Sequence, residues 1–121
     1  MTTAQLLIDE LRARHQTIAF CESLTAGLVS ATLADVPGAS DVLVGGLVTY
    51  SPELKTALAD VPEELIEREG VVSAAVAREM ARGARRVCGS DWAVALTGVA
   101  GPDAQDGVPA GTVWIGLAGP K

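Results

Sequence analysis

The chain has 121 residues, is 49% hydrophobic and carries a net charge of −6. That length and apolar content suffice for one domain with a real core and exclude a disordered polymer. The acidic balance excludes the broad basic face that sequence-independent nucleic-acid binding requires. With one Phe, one Tyr and two Trp, the core must be built from Val, Leu, Ile and Ala, which suits a sheet covered by alanine-rich helices.

In chain order, residues 3 to 15 predict a helix with Leu6, Leu7 and Leu11 on one face, Ile8 beside them, and His15 as a cation near its end. "TIAFC" (17–21) is an apolar run of strand length. From Leu24 to about Leu33, Ala, Leu and Val recur at helical spacing. "VPGAS" (36–40) breaks the chain. "DVLVGGLVTY" (41–50) is a second strand, in which Gly45 and Gly46 mark a bulge or a close backbone approach. Ser51 and Pro52 open a helix as N-cap and first residue. "VPEELIEREG" repeats that device and ends at Gly70. Residues 73 to 87 form a longer amphipathic helix capped by Ser73, with Val76, Met80 and Val87 inward and Arg78, Arg82, Arg85 and Arg86 outward. "DWAVALTGV" (91–99) and "TVWIGLAG" (112–119) are strands joined by a Gly, Pro and Asp-rich loop.

Alternating strands and helices, with the last two strands joined by a loop alone, predict one domain. Its fold is α/β, a three-layer sandwich around a mixed, mostly parallel sheet with one antiparallel pair. The last strand ends almost at Lys121. A further C-terminal element is therefore expected to be missing. Cys21 and Cys88 have no metal-ligand spacing and read as reduced thiols in a cytosolic protein. No apolar run reaches membrane-spanning length and no signal peptide precedes the first acidic residues, so the expected location is cytoplasmic.

Polar clusters follow three strands: "ESLT", "TYSPELK" and "TGVAGPD". In open α/β sheets, ligands bind outside the carboxyl ends of parallel strands. Ser23 can be read as an N-cap, a role open to Thr25 as well, or as a nucleophile exposed at a strand-to-helix turn. His15 precedes the first strand, so a Ser-His-acid triad is not expected. Lys55, one turn into the helix after "VTYS", can replace the histidine if burial lowers its pKa. Otherwise it is a solvated helix lysine. Tyr50 can relay a proton or orient the pair, or is a strand-end aromatic with a wet hydroxyl. Gly98 and Gly101 allow close approach to an anion, or make an ordinary turn. Glu22 caps backbone near the site or holds a substrate hydroxyl.

"ESLTAG", "GGLVTYSPELK", "GVVS…VAREMARGA", "LTGVAGPD" and "PAGTVW" occur in that order and spacing in the CinA C-terminal domain family, which the chain resembles from about residue 4 to 119. That family includes stand-alone nicotinamide mononucleotide deamidases, whose form this chain resembles. The resemblance implies an α/β/α sandwich and an amidohydrolase with no metal or other cofactor. The reaction would convert nicotinamide mononucleotide and water to nicotinate mononucleotide and ammonia, in pyridine nucleotide salvage.

By the same resemblance Ser23 is the nucleophile, and Tyr50 and Lys55 are its catalytic partners. Glu22, Thr25, Gly27, Gly46, Thr97, Gly98, Ala100 and Gly101 are the substrate-binding candidates. A homodimer or larger homo-oligomer is implied, with no nucleic-acid or membrane partner. Two departures stand out. Ala26 occupies a position where the family more often has glycine. The family also continues past "GTVW" through a further strand and helix that include basic residues near the ligand. The competing class is a non-catalytic nucleotide-binding or regulatory module, of the competence-damage-inducible type, that uses the same pocket.

Overall fold

A computed structural model describes residues 1–120. Its helices are α1 (Thr3–Arg14), α2 (Leu28–Ala34), α3 (Pro52–Ala59), α4 (Glu63–Glu69) and α5 (Ala74–Cys88). Its strands are β1 (Ile18–Glu22), β2 (Leu43–Val48), β3 (Trp92–Gly98) and β4 (Val113–Ala118), and a 3-10 turn spans Ala39–Asp41. The sheet order is β2-β1-β3-β4, with β1 parallel to both neighbours and β4 antiparallel to β3.

β1 is central and buried along its whole length, which is why its sequence is a continuous apolar run rather than an alternating one. The expected irregularity in β2 is a register shift. Ile18 pairs with Leu43 but Ala19 pairs with Gly45, leaving Val44 as the extra residue of a bulge.

Two apolar clusters flank the sheet. Cys21, Ala93 and Ala95 pack under α3 and α5 through Ala59, Val76, Met80, Ala81 and Ala84. On the other face Ile18 and Phe20 meet Ile8, Leu11 and Leu33 from α1 and α2. The layers are therefore helix, sheet and helix, as expected. The α5 side is built from small residues, so helix and sheet approach closely. A Cβ placed on Gly116 would overlap the Ala77 carbonyl, and one on Gly83 would overlap the Ala59 carbonyl. Glycine at 83 thus seats the end of α3 directly against α5.

Caps stop and start these helices as the sequence indicates. Ser51 Oγ accepts from the Leu54 amide at 3.3 Å, and Ser73 Oγ from the Val76 amide at 3.3 Å. Three expectations shift. The helix after β1 begins at Leu28, not Leu24, because Ala26 (φ 51°) and Gly27 (φ 101°) are left-handed and form a turn first. In α1 the buried residues are Ile8 and Leu11 while Leu6 is exposed, so the face is rotated by about one residue. Val87 at the end of α5 is exposed; Ala77, Ala81 and Ala84 fill the stripe instead.

Candidate active site

The carboxyl ends of β1 and β3, the start of α3 and the loop after β3 surround a cleft of about 230 Å³. Ser23 and Lys55 lie at its floor. β1 delivers Ser23: the strand's pairing continues one residue past Glu22, where the Ser23 amide donates to the Leu96 carbonyl at 3.0 Å. The chain then turns sharply, with the Ala26 amide returning to the Ser23 carbonyl at 3.1 Å. Ser23 is 7% exposed. Its hydroxyl is not a helix cap, because the helix starts five residues later.

α3 delivers Lys55. Ser51 and Pro52 fix the first turn, and Lys55 lies on the inward side with Ala59. Lys55 is the largest fully buried side chain, at 1% exposure. Its Nζ lies 2.9 Å from Ser23 Oγ and donates to the Thr49 carbonyl at 2.7 Å. No ion pair among the described residues includes it. Burial pushes its pKa below the ordinary value of 10.5, against smaller opposing pulls from Cys21 and Glu53. A lysine whose charged form is disfavoured gives up its proton more readily, and here it does so next to a hydroxyl, which is the arrangement a general base needs.

Glu22 points the other way. It is fully buried, and its two carboxylate oxygens accept from the Gly27 amide (3.2 Å), the Val29 amide (2.9 Å), the Ser30 amide (2.9 Å) and the Ser30 hydroxyl (2.6 Å). It therefore closes the exposed amides at the start of α2 in place of a capping residue. Burial works to raise its pKa, but the Ser30 and Thr25 hydroxyls and the Ser30 and Val29 amides outweigh it, and the net direction is down.

Gly46 belongs to the same device: a Cβ there would collide with Ser30 Oγ, so the glycine lets Ser30 reach Glu22. Neither Glu22, Gly27 nor Gly46 lines the cleft. Thr25 also lies off it, in the turn beneath α2.

Thr97, Gly98, Ala100 and Gly101 do line the cleft. Thr97 is buried, and its hydroxyl donates to the Val71 carbonyl at 3.0 Å, tying β3 to the segment before α5 that forms the opposite wall. Tyr50 lies at the rim, 67% exposed. Its hydroxyl makes no hydrogen bond to Ser23 or Lys55.

The sequence reading missed Thr49, whose carbonyl anchors Lys55 and whose hydroxyl lies 3.5 Å from Cys21 Sγ. It also missed Leu24, Val71, Val72, Asp103 and Gln105 as lining residues. For Thr49 a signal existed, since it sits at the same strand end as Tyr50. For Val71 and Val72 none did, because only the fold returns them to the cleft. Cys21, behind Thr49, is buried and its thiol is held in the protonated form by burial. Cys88 is free as well.

A mixed α/β sheet with a buried serine–lysine pair at its parallel strand ends defines the class of protein. The family follows from the sequence, which matches the CinA C-terminal domain over residues 1–121, and the chain belongs to that family. The CinA-like protein of a Synechococcus strain is 51% identical over 118 residues, covering 97% of this chain and 28% of that protein. A putative competence-damage inducible protein of Streptococcus gordonii is 55% identical over 115 residues, covering 95% of this chain and 28% of its own length. The chain thus spans about a quarter of these relatives.

Among solved structures, the CinA-superfamily protein of Escherichia coli superposes with a TM-score of 0.93 at 32% identity, covering 96% of this chain and 68% of that one. The competence/damage inducible protein of Agrobacterium tumefaciens gives 0.92 at 32% identity, covering 96% and 71%. Among the described residues, no helix is long and apolar enough to cross a membrane.

Proposed function

We propose that this domain is an amidohydrolase that converts nicotinamide mononucleotide and water to nicotinate mononucleotide and ammonia, with Ser23 as nucleophile and Lys55 as its base. The observation that supports it most is the 2.9 Å separation of Lys55 Nζ from Ser23 Oγ in a buried place with no carboxylate partner. A lysine kept for stability alone would reach solvent or an acid, because burying an unpaired ammonium is costly.

The steps follow from the geometry. Neutral Lys55 takes the Ser23 proton as Oγ attacks the carboxamide carbon. The carbonyl π electrons move to oxygen, giving a tetrahedral oxyanion. The backbone amides of Leu24 and Thr25, next in sequence after Ser23, have no acceptor among the described residues and are the candidate donors to that oxygen. Collapse of the intermediate breaks the C–N bond, and the Lys55 ammonium gives its proton to the departing amine, releasing ammonia. Water, deprotonated by the same lysine, then cleaves the acyl-serine ester, and Oγ recovers its proton. The Thr49 carbonyl accepts from Nζ at 2.7 Å, which holds the amine beside Oγ.

The substrate rests on the family resemblance, and the chemistry on the pair. Ammonia release from nicotinamide mononucleotide by the purified chain tests both. Ser23→Ala is expected to abolish it. Release by Ser23→Ala at the wild-type rate would remove the nucleophile, and calorimetric binding without release by the wild type would favour a regulatory module.

A further inference from the structure

Two groups at the cleft mouth are not used by that mechanism. Tyr50 is mostly exposed, lines the cleft, and its hydroxyl is bonded to nothing among the described residues, so its ring face is available to a ligand. Asp103, on the loop after β3, lines the same cleft. Its carboxylate takes part in no hydrogen bond or ion pair among the described residues; Asp35 and Asp106 share that state, but of the three only Asp103 lines this cleft. An aromatic face and a free carboxylate have one preference in common: both stabilise a cation, the first through the ring quadrupole and the second by direct attraction. Lys55 is the one basic side chain lining the cleft, and burial disfavours its charged form.

We infer that Tyr50 and Asp103 are specificity-determining residues that read ring charge, favouring a carboxamide carried on an N-substituted, positively charged aromatic ring over the same carboxamide on a neutral ring. This rests on the amidase reading, and it adds a criterion the serine–lysine pair does not supply. A Ser–Lys pair attacks any amide it can reach, whereas the rim selects which ring is presented. Tyr50 then acts as a wall against the ring rather than as a proton relay.

Oxidised nicotinamide mononucleotide and its dihydro form share ribose, phosphate and carboxamide and differ in ring charge. Their dissociation constants, measured by calorimetry on the full Ser23→Ala chain, isolate recognition from turnover. The oxidised form is expected to bind about five- to tenfold tighter. Adding Asp103→Asn or Tyr50→Leu is expected to cut that ratio by about two- to fivefold each, and the Asp103 share is expected to shrink in high salt while the Tyr50 share persists. Equal binding of the two forms, a ratio that neither substitution moves, or no binding of either form overturns the inference. Failure of the amidase reading looks different: charge-selective binding persists in Ser23→Ala, and the wild type releases no ammonia.

Discussion

Two fully buried ionisable side chains, Glu22 at the end of β1 and Lys55 in the first turn of α3, have opposite fates. Glu22 has four donors around two oxygens. Lys55 has two oxygens and no counter-charge. Both have lowered pKa values, but the chemical meaning differs. For a carboxylate a lowered value means that the charged form is favoured, and here it is spent on fixing the start of α2. For an amine it means that the charged form is disfavoured, which in the proposed mechanism supplies the base beside Ser23. Charge that is satisfied becomes structure, and charge that is left short of partners becomes reactivity.

The comparison is broken most completely by Lys55→Met. Ammonia release is expected to fall by at least about a thousandfold, with the melting temperature unchanged or raised, because an unpaired buried amine is exchanged for an apolar chain of similar length. Parallel activity and differential scanning calorimetry check both halves. A large drop in melting temperature would show that Lys55 is structural.

Glu22→Gln is expected to do the reverse in emphasis. It replaces an acceptor-only group with one that must donate, so a loss of about 2–3 kcal/mol in urea unfolding is expected, together with a fall in kcat smaller than that of Lys55→Met.

The pH dependence sharpens the contrast. Between the folded and unfolded pKa of each group the unfolded chain holds more protons, so stability rises with pH through both windows. For Glu22 the window lies below the ordinary carboxylate value of 4.5, and its contribution is lost as pH falls through the folded value. For Lys55 the window lies below 10.5, where rising pH relieves the cost of a buried ammonium. Activity should rise on the acid side as Lys55 loses its proton, so the kcat/KM profile and the melting profile of the wild type should both climb across that interval. In Lys55→Met the upper step in stability should vanish while the lower step remains.

A smaller effect is expected at Gly46→Ala, which pushes Ser30 away from Glu22 and should cost about 1–2 kcal/mol. Ala26→Gly is the smallest. It relieves a left-handed alanine but loosens the unfolded chain, for a net gain under about 1 kcal/mol.

Much of this was legible in the residues. The strands announce themselves as apolar runs of strand length between glycines and prolines, and Ser51 and Ser73 mark helix starts because a hydroxyl before a proline or alanine run has little else to do. The nearness of Ser23 and Lys55 follows once two parallel strands end at the same edge.

The turn at residues 24–27 was not legible, because Leu24 to Leu33 is helical by composition and only backbone conformation shows that Ala26 and Gly27 are left-handed. The direction of Glu22 was hidden for a related reason. A strand-end side chain can turn either to the cleft or to the next helix, and the choice depends on Gly46 and Ser30, distant in sequence. The burial of Ile8 in place of Leu6 is a rotation of one residue, smaller than hydrophobic spacing resolves. Asp103 sits in a loop whose path no periodicity describes.

The seat that Gly83 provides for the Ala59 carbonyl has a reach beyond packing. Ala59 lies one turn along α3 from Lys55, so the seat of that carbonyl against α5 helps to fix the helix that carries the amine. The separation between amine and serine is in this sense gauged from the far side of the molecule, by two residues with no functional groups at all. A side chain at Gly83 would meet the Ala59 backbone and is expected to displace α3, and Lys55 with it, while leaving every residue of the cleft intact.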